Sequence, residues 1–515
     1  MAAVNARGVQ PLKTGAIAQM LPLFAGFAAN LLATPYIVTK LGLHDFGIWS
    51  IVAAIAQYGA LSDLGVSRAA NRYTALFHAK GDVKNERAVA GVCAVALAGL
   101  ICVLYAILPF FAGLMDRILR TGDTGLATSL LFAAVTMVIC GLVARTLAAT
   151  SIGRGRQVPA NIGIAVLVVA QVIGGVIALA QSPTLRDFAW GSAAGTGIGL
   201  AAVVTIILFD EGRITLGRPS AALAREVLAY GMKGQIQGGA EILWFQAGKV
   251  IAGVIVGPAA AGVIELGMRL VKGAQAFGSA ASVALTTHLT RTYAAGGMAA
   301  ILAEYPRLTR RNAAVAIFPP LFLAATALSA VPLWLGERQG AVIFVVMTAA
   351  PGIAASVSTG VCAATLLSIG RSGILGVAVL ISATISAILS VPLGYAFGLE
   401  GIAAAFGAWM IVTNLLLVAF LQSRIKIPMK TFLHAIAGPF AIGLCATAAA
   451  ATVGLIANPQ DRSSALVPFL LSSLIFTAVY ASLGWRLGYL PRLTAAKGEA
   501  GTAGDGKDEK QRRTT

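Results

Sequence analysis

What most constrains this chain is a repeated pattern. From residue 15 to residue 485 it is a succession of apolar runs, each about as long as a bilayer is thick, joined by short polar segments. A helix needs about 20 predominantly apolar residues to cross the ~30 Å hydrocarbon core, because it rises ~1.5 Å per residue. The runs fall at 15–38, 46–65, 88–114, 125–147, 160–180, 189–209, 235–256, 259–290, 312–334, 341–366, 373–396, 401–421, 432–457 and 465–485. This predicts an all-α, polytopic membrane protein with about fourteen transmembrane helices, since a helix satisfies its own backbone groups in lipid. Composition agrees. Only 11% of the residues are charged, against roughly 25% in a soluble domain, and the mean hydropathy is +0.84.

The net charge of +18 could suggest a nucleic-acid partner. The placement of the basic residues argues otherwise. With the N-terminus taken as cytoplasmic, 28 of the 38 Lys and Arg fall in inner segments, 6 in outer loops and 4 within spans. That is the positive-inside pattern, and it accounts for the charge without nucleic acid. It puts both termini in the cytoplasm and the protein, multi-pass, in a bacterial inner membrane. Residues 1–14 form a cytoplasmic N-terminus with no cleavable signal, and 490–515 read as a disordered cytoplasmic tail.

No enzyme motif is found. The five cysteines sit in apolar runs without Cys-x-x-Cys spacing and the four histidines are scattered, so no metal site is expected. Gly195-Thr-Gly197-Ile-Gly199 lacks the strand and the acidic partner of a dinucleotide loop, and Gly191-Ser-Ala-Ala-Gly195 reads as a helix-packing face.

An internal echo divides the chain. Gly42-Leu-His-Asp-Phe-Gly47 and Gly257-Pro-Ala-Ala-Ala-Gly262 are both Gly-x4-Gly hairpins, 215 residues apart. The same offset takes Ala79-Lys80-Gly81 onto Ala294-Ala295-Gly296. Six spans separate the copies, as in transporters built from parallel repeats. The organisation expected is two six-helix lobes around a central cavity, 15–209 and 235–421. A cytoplasmic linker, 210–234, joins them, and two further helices, 432–485, follow. Pro319-Pro320 and Pro351-Gly352 are expected to break spans nine and ten.

Spans seven and eight carry Glu241, Lys249, Glu265, Arg269 and Lys272. A charge at mid-bilayer costs at least ~2.5–3.5 kcal/mol, so it faces a cavity or a partner. At ~100° per residue Glu265, Arg269 and Lys272 share one stripe, which Gln275 extends. Two readings stay open: an internal ion pair that fixes packing, or a net cationic stripe lining a substrate cavity and suited to an anion. Glu241 or Glu265 could then take a proton or a coupling cation. At the end of span two, Asp63, Arg68 and Arg72 lie at helical spacing. They read as a solvated helix end or as a cytoplasmic gate capturing phosphate groups, with Arg145 near the inner end of span four.

The stretch Leu41-Gly-Leu-His-Asp-Phe-Gly-Ile-Trp49, with Gln57-Tyr58, Ser62-Asp63-Leu-Gly65, Arg68, Asn71-Arg72 and Gly81-Asp82, resembles bacterial polysaccharide flippases of the O-antigen (Wzx) type. These belong to the multidrug/oligosaccharidyl-lipid/polysaccharide exporter superfamily. Leu228-Ala-Tyr-Gly231, Glu265-Leu, Arg269-Leu and Gly398-Leu-Glu-Gly-Ile-Ala-Ala-Ala405 agree. The resemblance implies alternating access and a substrate of oligosaccharide on undecaprenyl diphosphate, moved to the periplasmic leaflet. It also implies membrane lipids, a polysaccharide polymerase and chain-length machinery as partners. No cofactor is expected beyond H+ or Na+ coupling. Two features depart from that pattern. Lys249 stands where members often carry Asp, and about fourteen spans are read where many have twelve. Lipid II flippases have fourteen but place charge in span one, which is uncharged here. A cation-coupled multidrug exporter should have an acidic, aromatic cavity. A membrane glycosyltransferase or ligase should have a large loop.

Overall fold

The computed structural model describes residues 12–59, 65–212, 215–425 and 428–489. These form fourteen helices: α1 (Leu12–Gly59), α2 (Val66–Ala79), α3 (Val83–Leu119), α4 (Thr124–Gly153), α5 (Gln157–Gln181), α6 (Leu185–Glu211), α7 (Ala221–Ile255), α8 (Pro258–Ala316), α9 (Phe318–Leu335), α10 (Gly340–Ser358), α11 (Gly360–Ser368), α12 (Ser372–Ile425), α13 (Met429–Ala457) and α14 (Arg462–Arg486). Among the described residues the only extended pairing is one isolated bridge, Glu337 to Asp461. The chain is an all-helical, multi-pass membrane protein. Ten helical stretches are long and apolar enough to cross a membrane. Two of them, Ala18–Gly59 and Gly373–Ser423, hold 42 and 51 residues, roughly twice the ~20 a crossing needs. Each doubles back at a glycine in the left-handed region, Gly42 (φ 75°) and Gly398 (φ 60°). With α7 and the first part of α8, whose charges keep them off that apolar set, these stretches give the fourteen crossings.

The helices follow the runs of hydropathy at some junctions and depart from them at others. The first two spans are joined at the hairpin expected at Gly42–Gly47, where Gly42 reverses the chain as no other residue type would without strain. Val66–Ala79 is a separate amphipathic helix at the membrane boundary rather than the end of span two. Helix α7 begins at Ala221, inside the segment read as a linker. Ser220 caps it by accepting from Leu223 N (3.2 Å), and its first turns, with Leu223 and Val227 buried and Arg225 and Glu226 exposed, extend the helix beyond the apolar run. Pro319-Pro320 open α9 after a break at Ile317, as prolines at a helix start can. Pro351-Gly352, in contrast, do not break α10, and the interruption comes at Thr359.

The proline in span one is used rather than merely tolerated. Pro35 has no N–H to give the carbonyl of Leu31, and the indole N–H of Trp334 on α9 donates to that oxygen instead (2.7 Å).

Helices α1 to α6 pack among themselves, as do α7 to α12. The last pair, α13 and α14, packs on α9. The lobes meet along α1, α7 and α8. The two hairpins related by 215 residues touch each other at this seam. A Cβ built on Gly47 would lie 1.8 Å from the carbonyl oxygen of Pro258, and one on Gly262 would lie 3.3 Å from Gly47 Cα. Equivalent positions of two repeats meet in this way where an axis relates the repeats. The second matched pair also coincides with chain breaks, α2 ending at Ala79 and α8 leaving helical geometry at Gly296 and Gly297.

Segments assigned to one side of the membrane lie together. Arg154, after α4, pairs with Glu86 of α3 (2.6 Å) and with Glu211 of α6, and Gly217 N donates to Arg87 O (2.7 Å). On the other side Arg120 Nη2 donates to Val254 O (2.8 Å), and Arg338 N to Gln460 O (2.8 Å).

Candidate functional site

Of the charges within the spans, three make one cluster. Glu265 on α8 accepts from Lys249 Nζ on α7 (2.7 Å) and from Arg269 Nε one turn along its own helix (2.9 Å). The α7–α8 hairpin brings them together, since Gly257 reverses the chain between the two helices. The side chain of Lys249 is 5% exposed and that of Glu265 16%, so each charge has exchanged water for a partner, as burial demands. Arg269 is held further. Its Nη1 donates to Thr34 Oγ1 of α1 (2.6 Å), and its guanidinium lies 5.1 Å from the ring centroid of Phe46. Thr34 in turn donates to Asn30 O. The cluster therefore ties the two lobes to each other.

The ion pairs do not close the site. Lys249, Glu265 and Arg269 line a cavity of about 410 Å³ between the lobes, together with Arg145 of α4 and the amides of Asn30, Gln57 and Gln171. Among the described residues three cations line the cavity against one carboxylate, a net positive lining. At ~1.5 Å per residue Glu265 lies about 10 Å from the Pro258 end of α8, and Arg145 about 12 Å from the Gly153 end of α4. Those two helix ends lie at opposite ends of the bundle, so the charged groups sit well inside it. Gln246 on α7 donates to Gln57 on α1 (2.6 Å), a second polar link across the lobes.

The remaining candidates divide. Lys272 lies over the ring of Phe245 (4.5 Å to the centroid), between this cavity and another. Gln275 lines that second cavity and not the first. Glu241 is on α7, but its side chain lies outside what is described, and Asp63 lies outside the described residues. Arg68 and Arg72 are exposed on α2, and the Arg72 guanidinium stacks over Tyr230 of α7 (4.2 Å). Arg145 lines the cavity, while the next residue, Thr146, hydrogen-bonds Ser67 of α2 (3.0 Å). Helix α4 thus connects the cavity to the arginine-bearing helix. Sequence spacing missed the buried Glu86–Arg154–Glu211 cluster, because its members come from three separate helices. No group of metal-ligating side chains is found among the described residues.

No family model matches the chain, and no curated protein matches it by sequence. Its fold does match solved structures. One is the lipid II flippase MurJ in an inward closed conformation, with a TM-score of 0.65 and 12% identity, covering 92% of this chain and 99% of that one. Another is a multidrug resistance MATE family transporter of the MOP superfamily, inward-facing, with a TM-score of 0.60 and 14% identity over 79% of this chain and 94% of that one. A third, from Pyrococcus furiosus, is a MOP superfamily transporter described by the reverse polarity of its binding pocket. It has a TM-score of 0.53 and 15% identity over 80% of this chain and 94% of that one. The chain is similar in fold to these transporters.

Proposed function

We propose that the protein is a flippase that carries oligosaccharide linked to undecaprenyl diphosphate from the cytoplasmic to the periplasmic leaflet of a bacterial inner membrane, for O-antigen, capsule or exopolysaccharide assembly. The observation that carries this reading is the cationic cavity at the seam of two lobes with a transporter fold. A diphosphate head group cannot enter dry hydrocarbon, and Arg145, Lys249 and Arg269 offer N–H donors well inside the bundle. Glu265 holds Lys249 and Arg269 in place while no substrate is present. An entering diphosphate competes with Glu265 for the same cations, so Lys249 and Arg269 keep an anionic partner throughout. The lobes, 15–209 and 235–421, then rock about their common seam to expose the cavity to each side in turn. Both termini lie in the cytoplasm, as the basic-residue asymmetry supports. Arg68 and Arg72 on α2 serve as a first contact for phosphate at the cytoplasmic side. The protein does no covalent chemistry, and its partners are the lipid-linked substrate, surrounding lipids and the polymerase that receives the product.

A second reading is lipid II as cargo. The fourteen crossings and the coverage of MurJ favour it, and the same diphosphate chemistry would serve. A cation-coupled multidrug exporter, which should have an acidic, aromatic cavity, fits this cationic lining poorly.

The test is deletion in the native host. Loss of surface polysaccharide, with the lipid-linked repeat unit accumulating in the cytoplasmic leaflet, is expected. Unchanged surface polysaccharide would overturn the reading. Complementation by Arg269→Ala should fail with protein level kept, and full complementation would remove that residue from the cavity's function.

A further inference from the structure

The cationic cavity has a neighbour of different chemistry. A second cavity, about 400 Å³, opens between α7, α8, α10 and α12. Among the described residues no charged side chain lines it. Its polar lining includes Gln275, Ser382, Thr413 and Asn414, and its apolar lining includes the rings of Trp244 and Phe245.

The two cavities share their walls. Trp244 and Phe245 of α7 line the neutral cavity and Ile242 and Lys249 of the same helix line the cationic one. On α8, Glu265, Lys272 and Ser279 recur every seven residues on one stripe. That stripe runs from the cationic cavity, past Lys272 over Phe245, into the neutral one, with steps of about 10 Å.

The difference in hydrogen-bonding type selects the ligand. Lys and Arg only donate, which suits phosphate. Hydroxyls and amides both donate and accept, as a sugar hydroxyl does. These groups retain capacity. Thr413 Oγ1 donates to Trp409 O (2.9 Å) and accepts from the Ser382 hydroxyl, so this pair keeps lone pairs to accept with. Asn414 donates one N–H to Met410 O (2.8 Å) and accepts once from Thr359 Oγ1 (3.3 Å). Gln275 makes no side-chain hydrogen bond among the described residues, so its whole amide is available. The rings of Trp244 and Phe245 supply the apolar surface that the C–H face of a pyranose needs. Ligand pockets of about 300–1,000 Å³ combine features of this kind.

We infer that this second cavity is a binding site for the uncharged sugar portion of the substrate, with Gln275 and Asn414 as its main hydrogen-bonding groups, while the phosphates occupy the cationic cavity. This rests on the flippase reading for the phosphate half, but the sugar half can be tested by itself.

The full-length protein in nanodiscs would be titrated with farnesyl diphosphate alone and with the same lipid carrying a glucose, galactose or N-acetylglucosamine disaccharide. At least one disaccharide should tighten binding about fivefold, the worth of one neutral hydrogen bond or more. Gln275→Ala and Asn414→Ser should each abolish most of that gain. No gain from any of the three sugars, or a gain that persists in both variants, overturns the sugar site. If farnesyl diphosphate itself fails to bind, the lipid-diphosphate reading falls. The uncharged octyl disaccharides then decide the neutral cavity alone. Binding that weakens in Asn414→Ser sustains the sugar site, and absence of binding overturns it.

Discussion

The two lobes are alike in helix number and meet at equivalent glycines, yet they line their cavities differently. Between the lobes, α1 and α4 of the N-lobe face α7 and α8 across a cavity holding Arg145, Lys249, Glu265 and Arg269. Within the C-lobe, α10 and α12 close a cavity whose polar groups are hydroxyls and amides. The ends of the lobes differ in the same sense. Arg154, Glu86 and Glu211 are buried together in the N-lobe, whereas the C-lobe pair His288–Glu304 is about half exposed. A repeated fold has been given two chemistries, with the buried ion pairs among the described residues lying in the N-lobe and at the seam. The contrast suggests that one cavity handles charge and the other handles neutral polar groups.

The largest expected effect would break this contrast directly. Glu265→Ala leaves Lys249 buried without a carboxylate and should cost about 3–5 kcal/mol of stability. Gln275→Ala in the neutral cavity should stay within about 0.5 kcal/mol. Thermal melting in one detergent measures both, and equal melting of the two variants would show that the seam ions are solvated. Next in size, Arg154→Ala removes the shared cation from two carboxylates, leaving Glu86 with His78 and Glu211 with Ser151, and should cost about 2–3 kcal/mol, while His288→Ala should cost under ~0.5 kcal/mol, because exposed pairs contribute little. The same melts check this.

Where the lobes are alike, the effects should be alike. A Cβ at Gly47 meets Pro258 O at 1.8 Å, and one at Gly262 meets Leu43 O at 2.8 Å. Gly47→Ala and Gly262→Ala should each force the hairpins apart, cost about 1–3 kcal/mol, and slow transport. Gly47→Ala should have the larger effect of the two.

The smallest effect lies outside both cavities. The backbone N–H of Ser464 and neighbouring hydroxyls hold the Asp461 carboxyl at about 2, against an ordinary 3.8. A lowered carboxylate pKa adds stability above its ordinary value, and that stability disappears as pH falls from about 4 toward 2. Asp461→Ala should remove this acid dependence and leave transport unchanged, as melts between pH 3 and pH 7 would read.

The membrane fold was legible because apolar length is a one-dimensional property, and fourteen runs fit fourteen crossings. Helix ends were less legible. The turns at Gly42 and Gly398 fall in the gaps between apolar runs, whereas α2 is a 14-residue amphipathic helix that resembles a loop by hydropathy. For the cavity, the spacing of Glu265 and Arg269 marked one helix face. It could not show that Lys249 from α7 would share Glu265, nor that Arg145 would line the same cavity, because contacts between helices have no fixed spacing. The neutral cavity was invisible for the same reason. Single Ser, Thr and Asn residues spread over α10 and α12 look like ordinary packing groups until the helices are assembled.

The most direct test of the central claim is translocation in proteoliposomes. A fluorescent polyprenyl-diphosphate oligosaccharide would be placed in both leaflets, and its accessibility to an external, impermeant lectin followed with time. Wild-type protein should bring the inner pool to the surface at least tenfold faster than empty liposomes, and the double variant Arg145→Ala, Arg269→Ala should return the rate to the empty-liposome level while remaining folded. A wild-type rate no faster than that of empty liposomes, or a double variant as fast as wild type, would contradict the account.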